Sequence, residues 1–237
     1  MKIFLKSSIF FFDIIDKFVH QKRIIKFFKK NKIKIQNFID VGSHKGLYTD
    51  LFMQNYNINK VLMFEPQIKI FNFLKKKYTK NKKIKILNYA VSNKNSFQNL
   101  QLNHHDLTTT LSIFNKKNFY LKVKALLFGV EKMTYQKVRI KTVRLVDILK
   151  KNKINQVDLL KVDTEGHELE VLEGLKKKIN QIQFILIEFH RDKIYLKYSP
   201  KKIHNHLLKN NFVLEAKFKF PFTSWEDRIY FNKNENK

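Results

Sequence analysis

The chain has 237 residues, of which 48 are Lys or Arg and 20 are Asp or Glu, so its formal net charge is +28. That length fits one domain, or one domain with an appendage, and the 43% of hydrophobic residues, including 23 Phe, can bury a core, which excludes a wholly disordered chain. The absence of cysteine excludes disulfides, thiolate metal sites and catalysis by a cysteine nucleophile.

The first 34 residues are apolar and basic. Charged residues interrupt this segment at Lys6, Asp13, Asp16 and Lys17. No stretch of about 18 uncharged residues is left to span a bilayer, and no small-residue cleavage site marks a signal peptide. We therefore predict an N-terminal amphipathic helical extension over 1–34 that packs on a cytoplasmic domain over 35–237. The alternative is an interfacial helix that lies on an anionic membrane and makes the protein membrane-peripheral.

From residue 38 onward, short apolar runs alternate with helix-like segments. The runs predicted as strands are 38–41, 61–64, 84–87, 157–162 and 184–187. The segments predicted as helices are 68–78, 146–152 and 167–178. This alternation predicts a single α/β domain with a doubly wound, mostly parallel sheet and helices on both faces. Two further strands, over 212–216 and 228–231, are predicted as an antiparallel pair near the end of the chain.

Four of the predicted strands run directly into an acidic residue. These acids are Asp40, Glu65, Asp163 and Glu188. Each one alone is explained by a helix cap or a solvated turn. In a doubly wound sheet, however, ligands bind outside the carboxyl ends of the strands. Taken together, the four acids therefore predict the rim of one crevice.

The loop after the first predicted strand indicates which ligand this crevice binds. Gly42 and Gly46 allow a tight turn before a helix. Glu65, which ends the next strand, can accept hydrogen bonds from both hydroxyls of a ribose. A dinucleotide site has a third glycine and no acid at the position of Asp40, because a carboxylate repels a pyrophosphate. The pattern instead favours a cationic nucleoside, S-adenosylmethionine.

The residues around these acids resemble the FkbM-type methyltransferases. The matching segments, in chain order, are 38–49, 61–66, 90–92, 143–149, 160–168 and 185–188. The most specific part is Lys-x-Asp-x-Glu-Gly-x-Glu, over 161–168. The resemblance covers about 37–188 and implies the class I, Rossmann-like methyltransferase fold. It also implies S-adenosylmethionine-dependent O-methylation of a sugar, glycan or related metabolite, and hence a small-molecule or glycan acceptor as partner.

The resemblance also implies roles for single residues. The cofactor would be bound by Asp40, Gly42, Ser43, His44, Gly46, Glu65, Pro66, Ala90 and Val91. Asp163 to His167 would face the acceptor. Two positions depart from the family pattern: His44 stands where the family usually has Asn, and His167 where it usually has a small residue.

Methylation of an alcohol needs a base or a metal to remove the hydroxyl proton. The candidate catalytic residues are Asp163, Glu165, His167 and His190. Glu165 and Glu188 are interpreted as orienting groups or ligands. Asp163, Glu188 and His190 also offer oxygen and nitrogen ligands to a divalent cation. Because their spacing does not require a cation, no metal is predicted.

Three other functions stay open at this point. The basic charge favours an RNA methyltransferase, but only five of the 48 basic residues are Arg, and the Lys-, Asn- and Ile-rich composition is typical of A/T-rich codons. A nicotinamide oxidoreductase is disfavoured by Asp40, and a non-catalytic binding module remains an alternative. The acceptor pocket is predicted from 104–136, with Thr108–Thr110, Tyr120 and Tyr135, and from the C-terminal hairpin around Trp225.

Overall fold

The computed structural model of the protein describes residues 20–103, 109–115, 117–118, 134–190, 193–220 and 225–234. Its strands are β1 (Asn37–Val41), β2 (Lys60–Phe64), β3 (Ile84–Leu87), β4 (Ala90–Val91), β5 (Ser96–Asn103), β6 (Thr134–Val143), β7 (Val157–Val162), β8 (Ile182–His190), β9 (Phe212–Lys219) and β10 (Trp225–Asn232). Its α-helices are α1 (Gln21–Lys30), α2 (Leu47–Asn55), α3 (Ile68–Lys77), α4 (Leu145–Lys151), α5 (Glu168–Glu173) and α6 (Pro200–Lys209).

Seven strands form the main sheet, in the order β3-β2-β1-β7-β8-β10-β9. The five strands from β3 to β8 are parallel, and β10 runs antiparallel to both β8 and β9. The chain proceeds outward from β1 to β3 and then returns to β7 on the other side of β1. The carboxyl ends of β1 and β7 therefore form the switch point at which such sheets bind ligands. The predicted doubly wound, mostly parallel sheet is confirmed.

The central strands are apolar on both faces because helices cover both faces of the sheet. Successive residues of β1 show this: Phe38 belongs to the hydrophobic cluster on one face and Ile39 to the cluster on the other. Acidic residues lie at or near the carboxyl ends of these strands, as Asp40 does in β1. This arrangement places these acids at the switch point.

Helix α1 is the described part of the predicted N-terminal extension, whose residues 1–19 lie outside the described ranges. Ile24 and Phe28 are fully buried. The ring centroid of Phe28 lies 5.8 Å from that of Phe52 and 5.6 Å from that of Phe184. Helix α1 therefore packs directly on the main sheet. In the part of the chain that the structure describes, no helix has the length and apolarity to cross a membrane.

Two features differ from the sequence-based expectation. A second, three-stranded sheet has the order β4-β6-β5, and its long antiparallel pair β5–β6 was not predicted. The predicted helix over 167–178 is shorter than expected, since α5 ends at Glu173 and a 3₁₀-helix follows over Lys176–Gln181. The helical path is interrupted at Lys176, which has a left-handed φ of 54°.

Candidate active site

A crevice with an empty volume of about 650 Å³ opens at the carboxyl ends of β1, β2 and β7. Its wall includes nine predicted site residues: Gly42, His44, Glu65, Pro66, Ala90, Val91, Asp163, Glu165 and His167. Four others lie outside the wall: Asp40, Ser43, Gly46 and His190. The structure therefore brings most of the predicted residues, from both halves of the sequence, to one cavity.

The first loop of the cavity is folded tightly between the two neighbouring strand ends. The backbone N–H groups of Gly42 and Ser43 both donate to the carbonyl oxygen of Phe64, at 3.1 Å each. Gly42 has a φ of 78°, and a Cβ atom there would overlap the carbonyl oxygen of Asp163. Only glycine fits this backbone and this contact. The turn thereby lets the ends of β1, β2 and β7 meet at one point.

Glu65 lies at the end of β2 with 3% of its surface exposed. The backbone N–H of His44 donates to its Oε2 at 2.9 Å, and that of Gln67 donates to its Oε1 at 2.8 Å. Burial raises the pKa of Glu65 to about 7, although these two hydrogen bonds favour the ionised form. Each oxygen has a second lone pair that can accept another donor. Glu65 is thus held rigidly with acceptor capacity left for a ligand.

Asp40 is fully buried behind the cavity wall and does not line it. Its Oδ2 accepts a hydrogen bond from the Thr49 hydroxyl at 2.7 Å, and its Oδ1 lies 3.8 Å from Lys161 Nζ. Burial raises the pKa of Asp40, against the attraction of Lys161. The resemblance placed Asp40 against the methionine end of the cofactor. In the structure Asp40 contacts Lys161 and, through Thr49, the first turn of α2, and its contact with the cofactor stays a prediction.

Lys161 is the buried cation that links the two acidic strand ends. Its Nζ donates to Asp163 Oδ2 at 3.0 Å and lies 4.6 Å from the ring centroid of Tyr48. Burial alone would lower the pKa of Lys161, but the carboxylates of Asp163 and Asp40 raise it further than burial lowers it. In turn, burial would raise the pKa of Asp163, but the charge of Lys161, together with hydrogen bonds from Glu188 and Lys161, keeps this pKa low. Asp163 is therefore ionised at neutral pH.

Asp163 lies beside Glu165, Glu188 and His190. These residues come from two separate segments of the sequence. One carboxylate oxygen each from Asp163, Glu165 and Glu188 lies within 4.8 Å of the other two. His190 Nε2 lies 3.4 Å from Glu188 Oε2 and 3.8 Å from Glu165 Oε2. Burial, and then the charges of Asp163 and Glu165, raise the pKa of Glu188 well above its usual range. The hydroxyl of Tyr195, which sequence reasoning missed, donates to Glu165 Oε2.

His167 also lines the cavity, but its surroundings make it a weak base. Its Nε2 lies 3.0 Å from the Ser92 hydroxyl, and burial lowers the pKa of the imidazole to about 4. His167 is therefore neutral near pH 7. The last acid of the motif over 161–168 has a structural function, because Glu168 Oε1 accepts the backbone N–H groups of Thr164 and Gly166 at 3.0 Å each.

Residues 109–111 form the far wall of the cavity, within the segment predicted to contact the acceptor. The Thr110 hydroxyl donates to the carbonyl oxygen of Glu165 at 2.6 Å. Thr108, Tyr120 and the rest of 104–108 and 119–133 lie outside the described residues. Trp225 does not line the cavity: it stacks on Phe220, with ring centroids 4.2 Å apart. The prediction that the pocket extends around Trp225 is therefore not supported.

The cavity is acidic in a strongly basic chain. Its wall carries the carboxyl groups of Glu65, Asp163 and Glu165, and none of the described lining residues is Lys or Arg. The remaining wall near β4 and β5 is apolar, with Ala90, Val91 and Leu100. This combination suits a ligand with a flat apolar part, polar hydroxyls and a positive charge, and it does not suit a pyrophosphate.

Comparisons with known proteins agree with this geometry. A family model described as a methyltransferase FkbM domain matches residues 40–214. The chain is 35% identical, over 51 residues, to the hexuronic acid methyltransferase AglP of Haloferax volcanii, which is 22% of this chain and 21% of AglP. The chain thus spans about a fifth of the curated relative that it matches.

Two solved structures share the fold. The FkbM methyltransferase of Methylobacillus flagellatus has a TM-score of 0.54 at 15% identity, over 84% of this chain and 43% of that one. TrmK of M. capricolum, solved with S-adenosyl-homocysteine, has a TM-score of 0.51 at 14% identity, over 92% of this chain and 69% of that one. The chain therefore spans less than half the length of the first of these.

Proposed function

The chain belongs to the FkbM methyltransferase family, and from this premise we propose that it transfers a methyl group from S-adenosylmethionine to a hydroxyl of a sugar, glycan or related metabolite. The observation that carries the proposal is the cavity at the switch point, whose wall presents Glu65, Asp163 and Glu165. The chain has a net charge of +28, so the negative charge of this binding surface is opposite in sign to that of the chain as a whole.

S-adenosylmethionine is the cofactor expected for this chain, and the residues present fit it. Glu65 has acceptor capacity for ribose hydroxyls, while Ala90, Val91 and Leu100 offer an apolar surface to an adenine. Gly42 and His44 would lie beside the methionine part. Bound there, S-adenosylmethionine supplies an electrophilic methyl group, and the electron pair of the broken C–S bond stays on its sulfur.

The chain itself must position the acceptor and remove its proton. Asp163 is ionised and lies on the cavity wall beside Glu165, so either carboxylate can accept a hydroxyl proton as the oxygen takes the methyl group. His167, whose pKa is also low, is neutral and offers a hydrogen-bonding group beside these carboxylates. The sugar class is supported by the printed name of the relative AglP, a hexuronic acid methyltransferase.

The proposal is tested in two steps with the purified chain. Calorimetry with S-adenosylmethionine should give one site per chain, and Glu65→Ala should weaken it at least tenfold. The matched control is Glu173→Gln. Glu173 Oε2 accepts a hydrogen bond from the Asn93 side chain at 2.8 Å, and Glu173 does not line this cavity. No binding by the wild type would overturn the cofactor assignment.

The second step offers labelled cofactor with a panel of neutral and uronic acid glycans, and in parallel with total RNA. Label in a glycan hydroxyl is the expected result. Label in RNA, with affinity that falls steeply with salt, would overturn the glycan assignment in favour of the basic surface.

A further inference from the structure

The carboxyl ends of β7 and β8 bring three acidic side chains into one cluster. Asp163, Glu165 and Glu188 each offer a carboxylate oxygen, and these three atoms lie within 4.8 Å of one another. Lys161 forms an ion pair with Asp163 and is shared with Asp40. Carboxylates this close repel strongly at low dielectric, so the group favours an additional positive charge.

A histidine with an unused ring nitrogen faces this group. The side chain of His190 is 6% exposed, and its Nε2 has no hydrogen-bond partner. The nearest carboxylate oxygen, Glu188 Oε2, is also buried without a hydrogen-bond partner, 3.4 Å away. Two buried polar atoms that face each other unpaired are costly, and they indicate a missing ligand between them.

The exposed fraction of the four side chains decreases from the cavity inward. Asp163 is 30% exposed, Glu165 18%, Glu188 13% and His190 6%. Only Asp163 and Glu165 belong to the cavity wall. A ligand held by all four would therefore be enclosed on its inner side and reachable from the cavity on its outer side.

We propose that Asp163, Glu165, Glu188 and His190 bind one divalent cation of the Mn²⁺ type. Three carboxylate oxygens and one imidazole nitrogen are a hard, mixed ligand set that suits Mn²⁺. Ca²⁺ is disfavoured, because it takes six to eight oxygen ligands and gains little from an imidazole. Tyr195, which donates to Glu165 Oε2, is the neighbouring group that orients one of the carboxylates.

The position of this site gives the cation a role in the reaction. Its open side faces the cavity, where it would hold the acceptor hydroxyl and lower the pKa of that hydroxyl. This role rests on the proposed function, whereas cation binding does not. The site would therefore prefer an acceptor with two neighbouring hydroxyls, because both hydroxyls can occupy open coordination positions of the cation.

The test measures Mn²⁺ binding without cofactor or acceptor. The full chain is treated with EDTA, desalted and titrated with Mn²⁺, and the loss of the free-ion EPR signal is followed. We expect one Mn²⁺ per chain with micromolar affinity. Glu188→Gln and His190→Phe, which keep the size of the side chains, should each weaken binding at least tenfold, while Glu173→Gln should leave it unchanged. A tenfold excess of Ca²⁺ should not displace the ion.

A second measurement on the wild type does not depend on variants that fold. Pulsed EPR of the bound Mn²⁺ should show the coupling of one imidazole ¹⁴N, which His190 supplies. Absence of binding at millimolar Mn²⁺, absence of the nitrogen coupling, or binding that both variants leave intact would each overturn the proposal. Calorimetry with S-adenosylmethionine, run in parallel, reports separately on the proposed function.

Discussion

The α-carbon of Gly42 lies against the carbonyl oxygen of Asp163, so closely that no Cβ atom fits between them. The same two segments are joined by a hydrogen bond, because the backbone N–H of Asp163 donates to the carbonyl oxygen of Val41 at 3.1 Å. The cofactor loop and the acidic loop are therefore one packed unit, and a change in one is transmitted to the other.

Gly42→Ala is expected to disrupt both loops. It forces a Cβ atom onto a backbone oxygen at a φ of 78°, where an L-residue is already strained. We expect a loss of at least about 3 kcal/mol of unfolding free energy and no measurable S-adenosylmethionine binding. Urea denaturation and calorimetry measure the two effects. Lys45→Ala, at an exposed position of the same loop, should change stability by less than about 0.5 kcal/mol. Equal effects of the two substitutions would contradict the structure.

Glu65 should make the cofactor-free protein less stable as the pH rises. Burial raises its pKa from 4.5 to about 7, so between these values the folded state keeps a proton that the unfolded state has released. The stabilisation is complete below about pH 4.5 and is lost above about pH 7, a change of roughly 3 kcal/mol. Urea denaturation of wild type and Glu65→Gln across pH 5 to 8 measures it. The difference between the two proteins must grow with pH in favour of the variant, and a constant difference would refute the raised pKa.

Asp163→Asn should abolish turnover and leave cofactor binding nearly unchanged. The substitution removes a carboxylate from the acceptor side of the cavity, and loss of a general base costs about 10²- to 10⁴-fold in rate. The expected result is a kcat at least 100-fold lower, with the cofactor Kd within threefold of wild type. Turnover is measured with labelled cofactor and whichever glycan of the panel accepts the label. Glu173→Gln should retain full activity, and an unchanged kcat for Asp163→Asn would clear this residue of a chemical role.

His167 should remain neutral far below the usual range of a histidine. Burial lowers its pKa from 6.5 to about 4. The stabilisation that follows is present above about pH 6.5 and is lost as the pH falls towards 4. Imidazole ¹⁵N shifts, assigned with His167→Gln, should show a neutral ring at pH 5.5, and the urea-unfolded chain provides the reference near 6.5. A midpoint near 6.5 in the folded protein would show that His167 is solvated.

Phe28→Ala should show that α1 is part of the folding unit. Phe28 is fully buried against Phe52 and Phe184, and truncation of such a ring costs about 3–5 kcal/mol. Phe27, which is only partly buried, is the matched control and should cost clearly less. Urea denaturation of both variants measures the costs. If Phe28→Ala costs no more than Phe27→Ala, the helix adds little to the domain.

The sheet and the rim of the cavity could be predicted because their signals are local. The parallel strands are continuous apolar runs, and the acids that follow them meet at the switch point by topology alone. Asp40 shows where this reasoning stops. Its place at a strand end was correct, but its burial depends on Lys161 and Thr49, which come from different elements.

The remaining features depend on tertiary packing that leaves no local pattern. Strands β5 and β6 are mostly polar and are separated by 104–133, so neither the pair nor the contact of Leu100 with the cavity was evident. Tyr195 reaches Glu165 across 30 residues from a segment without any motif. The path of the helix after α5 is interrupted by the left-handed backbone of Lys176, which no sequence periodicity encodes.

The cavity is bordered by two separate sheets. Its floor comes from the seven-stranded sheet, whereas Leu100 and Val91 come from the three-stranded one. An exchange of the β5–β6 ribbon between relatives would therefore alter the apolar wall that Leu100 forms, while the carboxylates of Glu65 and Asp163 stay in place. Grafting that ribbon would change the selectivity of the cavity without a substitution at Asp163 or Glu165.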